Sequence, residues 1–332
     1  MILLTGGAGY IGSHVAVELL LKGEELVIFD NFSNSYLEVL DRIEEISHKK
    51  VTFVEGDLRD FDILDEVFNR YRITEVLHFA GLKSVKESVR DPVSYYDNNV
   101  GGTLNLIKVM IAKDVRTIVF SSSATVYGTP VALPLREDMP TGPCLNPYGN
   151  SKLVVENVLM DLVAADPRWS ISLLRYFNPV GAHKSGLIGE NPTDEANNLM
   201  PLILDVATGR RQTLSIFGDD YDTRDGTCVR DFIHVVDLAY GHLKALTRCR
   251  ASTGCNIYNL GTGVGFSVLE LIKVFEGATG QPLSYQIAKR RPGDAAECYS
   301  DPSKAKRELG WESRCSLTEM CEDAWRWQLT NT

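Results

Sequence analysis

Apolar and β-branched residues gather in short runs at 2–4, 26–29, 51–54, 76–79, 117–120 and 171–174, with amphipathic helical stretches between them. A strand that is apolar at successive positions has both faces covered, and such strands alternating with helices build a parallel, doubly wound sheet. Past residue 175 the texture changes to loops rich in Gly, Asn, Pro and Asp. Shorter helices there open on capping boxes, Ser267 with Glu270 and Ser316 with Glu319. The expected fold is α/β: a doubly wound parallel sheet over 1–175 and a smaller, mixed α/β C-terminal lobe over 176–332. Without repeats or an obvious linker, the two lobes are expected to pack closely with a ligand between them.

Two helical stretches carry more apolar surface than one buried stripe needs. Over 152–163 the residues Leu153, Val154, Val155, Val158, Leu159, Met160, Leu162 and Val163 cover most of the helix. Such a helix is buried on two sides, either within the chain or by a symmetry-related copy. A second amphipathic stretch runs over 92–110, and together the two predict a two-fold homodimer with two helices from each subunit.

Directly after the first run comes Thr5-Gly6-Gly7-Ala8-Gly9-Tyr10-Ile11-Gly12, leading into a helical pattern over 13–22. Gly6 permits the tight strand-to-helix turn, Gly9 a close approach of backbone to a pyrophosphate, and Gly12 close packing of helix on strand. Asp30 ends the second strand eighteen residues after Gly12, where a carboxylate accepts from the adenosine ribose hydroxyls. The strand-turn-helix context makes this a Rossmann-type dinucleotide site. Asp30 would repel a 2′-phosphate, and no Arg follows in Asn31-Phe32-Ser33-Asn34, so the cofactor is NAD and not NADP.

Composition narrows the partners. Apolar residues make up 44% and charged residues 23% of the 332, the balance of an ordinary globular chain. A net charge of -10 argues against nucleic acid, whose phosphates call for a surplus of Lys and Arg. No 18-residue apolar stretch predicts a membrane span, and residues 1–5 read as a first strand and not a signal peptide. The seven Cys are scattered and lack CxxC pairs, which fits reduced thiols in a cytoplasm and no metal site. His78, His183 and His234 have no second ligand at metal spacing and are expected to be packed or hydrogen-bonded.

The fifth run ends in Ser121-Ser122-Ser123, and downstream lies Tyr148-Gly149-Asn150-Ser151-Lys152. Positions i and i+4 share one helical face. A Tyr is a poor base near neutrality, but an adjacent ammonium and a positive nicotinamide ring favour its phenolate. Ser123 can share the hydrogen bond to the same substrate hydroxyl.

Several stretches then resemble the UDP-glucose 4-epimerase family of extended short-chain dehydrogenase/reductases: 54–57 (VEGD), 78–83 (HFAGLK), 95–99 (YYDNN), 121–128 (SSSATVYG) and 174–182 (LRYFNPVGA), within a likeness reaching from Met1 to about residue 328. The resemblance implies inversion of C4 of UDP-hexoses by a hydride loan to NAD through a transient 4-keto sugar, with Tyr148 as base, Ser123 as its partner, and Lys152 binding the ribose and tuning the phenol. It assigns Gly6, Gly9, Tyr10, Ile11, Gly12, Asp30, Asn31, Ser33, Asn34, Ser35 and Ser121 to the cofactor. Asp57 and Leu58 go to adenine, Phe79, Ala80, Gly81 and Lys83 to the cofactor's middle, and Asn98 and Phe177 to the nicotinamide end. The UDP-sugar is given to Asn178, Asn198, Leu199, Arg230, Arg291 and Asp294, with Ser215 to Phe217 along the uracil. Arg suits a diphosphate because its fork binds two oxygens at once.

Two positions depart from the pattern. Asn150 stands where the family carries Lys. Cys298 stands where some members place a Tyr against the sugar's 2-substituent, and a small residue there implies room for N-acetylated UDP-hexoses. Nucleotide-sugar 4,6-dehydratases and decarboxylases share the fold and YxxxK pair but carry acidic residues after the catalytic Ser or Thr. Ala124 and Thr125 occupy those positions and cannot move protons at neutral pH. A reductase using free NAD and a non-catalytic NAD- and sugar-binding regulator are the remaining alternatives.

Overall fold

The computed structural model describes residues 1–193, 198–291 and 293–331. The six apolar runs form strands β1 Ile2–Thr5, β2 Leu26–Asp30, β3 Thr52–Glu55, β4 Glu75–His78, β5 Thr117–Ser123 and β6 Ser170–Tyr176. Seven more follow: β7 Asn178–Val180, β8 Leu214–Phe217, β9 Val229–His234, β10 Gly254–Leu260, β11 Gly265–Ser267, β12 Tyr285–Ala288 and β13 Glu297–Cys298. The main sheet has the order β10-β6-β5-β4-β1-β2-β3. Its pairings of β1 with β2 and β4, β2 with β3, and β4 with β5 are parallel. In β1/β4 Thr5 faces His78, so both strands end level, on the side where this architecture binds ligands.

The chain divides into two compact units, one of Met1–Thr129, Met139–Arg175 and Ala239–Tyr258, the other of Pro130–Asp138, Tyr176–Leu238 and Asn259–Thr332. The single break read at residue 175 follows the change of texture, whereas the chain returns to the first unit through the latter part of helix Val235–Ala251 and β10. That return gives the buried strand β6 a partner on its outer side. The first unit's core joins Leu3, Val27, Val76, Ile118, Phe120, Leu159 and Trp169. The second gathers Ile203, Leu214, Phe232, Phe275, Met320 and Trp327 beside a small sheet of β11, β9 and β13 with β7 on β9, and a parallel pair of β8 and β12. Both expected capping boxes are present, at Ser267 and Ser316.

The stretch over 92–110 is helical but not uniform. Pro92–Tyr96 and Gly102–Ala112 are α-helical, joined by a π-helical turn at Asp97–Gly101. Single π turns often mark functional sites, and this one carries Asn98.

Candidate active site

At the dinucleotide turn, Gly6 takes φ +70, and a Cβ there would lie 2.6 Å from the Ala80 nitrogen. On Gly12 it would lie 2.3 Å from the Gly6 carbonyl oxygen and 2.8 Å from Gly7 Cα. Backbone cannot yield as a flexible side chain does, so both positions require glycine. Gly9 caps helix Tyr10–Leu21 without a side-chain hydrogen bond, and the positive end of the helix dipole there suits an anion. Tyr10 and Ile11 open that helix half-buried.

Asp30 is buried. Its Oδ2 accepts from the Ala8 amide and its Oδ1 from the Phe32 amide and Ser35 Oγ, each at 3.0 Å. Burial raises its pKa despite these bonds. A carboxylate offers about four lone-pair sites, so acceptor capacity remains for a ribose hydroxyl. Asn31 donates to Asp57 at 2.8 Å, and Arg59 grips the same carboxylate at 2.8 and 2.9 Å, which holds Asp57 well below the usual carboxylate range. Ser33 and Asn34 are exposed. Leu58 belongs to the core, packed on Gly102. The Phe79 ring lies 4.9 Å from that of His242, the Ala80 amide donates to the Thr5 carbonyl, Gly81 approaches Lys152, and Lys83 is exposed. These residues fit a dinucleotide: a backbone cradle that a Cβ would fill, a helix N-terminus and a pre-oriented acidic acceptor.

The helix Pro147–Ala165 starts on Asn146, whose side chain accepts from the Gly149 amide, with Pro147 in its first turn. That start sets Tyr148 and Lys152 on one face. Lys152 is 6% exposed, donates to the Ser121 carbonyl at 2.8 Å, and sits 5.0 Å over the Phe120 ring. Burial draws its ammonium down to about 8. Tyr148 is pushed up by burial, opposed by its hydrogen bond with Ser123. Ser123 Oγ also accepts from Thr125 Oγ1 at 2.9 Å and caps the short 3-10 turn Ala124–Tyr127. His78 bridges Thr5 at 2.6 Å and Thr103 at 2.8 Å, and burial, then Lys152, lower it to about 3.

Sequence reasoning assigned no role to the residues behind these. Asn99, beside Asn98 in the π turn, accepts from the Leu82 amide and from Asn98, and donates to the Leu82 carbonyl and Ser151. Asn150, where Lys was expected, donates to Tyr96 at 2.6 Å. Glu156, 0% exposed, pairs with Arg175 at 2.7 and 3.0 Å and accepts from Ser122. A polar residue interrupting an apolar helix was the available signal for Glu156.

In the second unit, Arg291 is 4.6 Å over the Phe217 ring and 3.1 Å from Asp294, which also lies 3.9 Å from Arg230. Arg230 faces Cys298 in the β9/β13 ladder, and burial raises the Cys298 thiol to about 11. Ser215 and Phe217 share one half-buried face of β8 in its pair with β12. Next to Arg230, the fully buried Asp231 accepts from Thr262, Gly263 and Ser300, fixing the loop that leads away from β13. Asn198 donates to the buried Glu190 at 2.6 Å, and Leu199 opens the next helix. Asn178 is exposed on β7, while Phe177 is buried with its amide on Leu260. His183 bonds to Ser185 and His234 to Asp323. No helix among the described residues is long and apolar enough to cross a membrane.

The chain matches the family model described as GDP-mannose 4,6 dehydratase over residues 3–324. It is 57% identical over 330 residues to the UDP-glucose 4-epimerase of Bacillus subtilis, covering 99% of this chain and 97% of that one. The human UDP-glucose 4-epimerase is 52% identical over 336 residues, with 99% and 97% covered. Among solved structures, UDP-glucose 4-epimerase from Bifidobacterium longum in complex with NAD+ and UDP superposes with a TM-score of 0.97 at 52% identity, covering 99% of this chain and 98% of that one.

Proposed function

The chain belongs to the UDP-glucose 4-epimerase family, and on that premise we propose that it inverts C4 of UDP-hexoses with NAD held throughout the cycle. NAD, when bound, accepts the C4 hydride and returns it to the opposite face. Tyr148 takes the proton from the 4-hydroxyl and gives it back, Ser123 shares that hydrogen bond, and Lys152 holds the ribose side of the cofactor. Gly6, Gly9 and Gly12 receive the pyrophosphate, Asp30 the adenosine ribose, and Arg230 and Arg291 the UDP diphosphate, with Asp294 orienting both guanidinium groups. The observation that carries the reading is the convergence of Ser123, Tyr148 and Lys152 beside the glycine cradle on the sheet that holds Asp30.

The dehydratase named by the family model needs an acid or base at C5 and C6. Ala124 and Thr125 supply none, and Thr125 is committed to Ser123. Cys298, small and aligned with Arg230, supports acceptance of N-acetylated UDP-hexoses, and the activity supports a place in galactose metabolism in a cytoplasm. The half-buried Leu153 and Val154, with the exposed Val93 and Leu104, support a two-fold homodimer through both helical stretches, while Leu162 and Val163 pack on the chain's own core.

The test is to incubate the purified chain, without added cofactor, with UDP-glucose, UDP-galactose and their 2-N-acetyl counterparts, and resolve the products. C4 epimers at constant nicotinamide absorbance are expected. Loss of water from the sugar, stoichiometric NADH or no turnover would each refute the reading. Sedimentation at micromolar concentration checks the dimer.

A further inference from the structure

We infer that Glu156 is a positioning residue for this reaction, setting the register of the catalytic helix on β5 through Ser122 and Arg175; this rests on the epimerase reading above. Three consecutive residues of β5 engage three residues of the helix spaced by four. Ser123 bonds Tyr148, the Ser121 carbonyl accepts from Lys152 at 2.8 Å, and Ser122 donates to Glu156. Positions 148, 152 and 156 share one helical face, so the carboxylate forms a third rung on the face that carries the base and the ammonium.

That rung is anchored sideways. Arg175, on the neighbouring strand β6, donates to both Glu156 oxygens at 3.0 and 2.7 Å. Its guanidinium lies 4.7 Å over the ring of Tyr127, the last residue of the turn that Ser123 caps. One buried carboxylate thus ties the helix to two adjacent strands and to the turn beneath Ser123. Burying such a pair is costly, and apolar replacements are often neutral or stabilising, so stability alone gives little reason for it. Its geometry does: a shift of the helix along β5 breaks all three rungs together.

The test compares Ser122→Ala, Ser122→Thr and Glu156→Gln with the wild-type holoenzyme. Ser122→Ala removes the rung and leaves the Glu156–Arg175 pair whole, so the chain folds. Because a displacement of about 1 Å can cost about a hundredfold in rate, kcat is expected to fall about tenfold or more, with KM for UDP-galactose and the dinucleotide released on denaturation unchanged. Ser122→Thr keeps the hydroxyl and restores kcat. Glu156→Gln keeps an acceptor for Ser122 but leaves Arg175 uncompensated, so it loses thermal stability while retaining more kcat than Ser122→Ala. An unchanged kcat in Ser122→Ala, or kcat that follows Tm across the three variants, overturns the inference. An inactive wild type would sink the epimerase reading itself, whereas an active wild type indifferent to Ser122→Ala sinks only this one.

Discussion

Lys152→Met should make the dinucleotide-free protein more stable near neutral pH while destroying its activity. Burial draws Lys152 from 10.5 to about 8, which at about 1.4 kcal/mol per pH unit corresponds to about 3 kcal/mol carried by the charged folded form. Met fills a similar volume without charge. It loses the charge-assisted hydrogen bond to the Ser121 carbonyl, worth at least about 1.5 kcal/mol, and the cation over Phe120, worth about 0.5–1 kcal/mol. A net gain of up to about 0.5–1 kcal/mol remains. The pH dependence follows from the direction of the shift. Below pH 8 the lysine is charged in both states and the full penalty stands. Between 8 and 10.5 the unfolded chain keeps a proton that the folded chain releases, so wild-type stability rises with pH relative to the variant. Urea unfolding of both proteins, stripped of nucleotide, at pH 7 and pH 10 measures this. A variant less stable than wild type at pH 7, or a difference that does not narrow at pH 10, refutes the reasoning.

Gly12→Ala places a Cβ 2.3 Å from the Gly6 carbonyl oxygen, and overpacking of this kind costs about 1–3 kcal/mol; the purified variant should release little dinucleotide on denaturation, and full occupancy would contradict the cradle. Tyr148→Phe should lower kcat by about 10³ to 10⁴ with bound NAD retained, read by product analysis after single-addition assays. Cys298→Tyr should abolish turnover of N-acetylated UDP-hexoses and spare UDP-galactose; equal loss on both would remove Cys298 from the gate.

The doubly wound sheet was legible because buried parallel strands are apolar along nearly their whole length, as β1 and β2 are up to their last residues, Thr5 and Asp30. The glycine turn and the i, i+4 pair were legible because their chemistry demands particular residues at particular spacings. What escaped depends on distance in sequence. β10 is a strand of mixed burial, and nothing local says that it pairs with β6 some eighty residues earlier. The π turn at Asp97–Gly101 adds one residue to a helical period without changing the apolar pattern around it. Glu156 reads as a solvated carboxylate until its partners, one on β5 and one on β6, are brought under the helix. Arg291 and Asp294 were named for a ligand, while their contact with each other and with Phe217 emerges only once the loop after β12 is folded.

The late arrival of β10 bears on how the protein is made. At a synthesis rate of about 5–20 residues per second, β6 waits on the order of 4–16 s with one hydrogen-bonding edge bare before Gly254–Leu260 leaves the ribosome to cover it. An uncovered apolar edge is a template for pairing with another chain. Chaperone supply during translation, more than the stability of the finished molecule, should then limit yield, and arrested chains ending before residue 254 should remain protease-sensitive and aggregation-prone where chains ending past 260 do not.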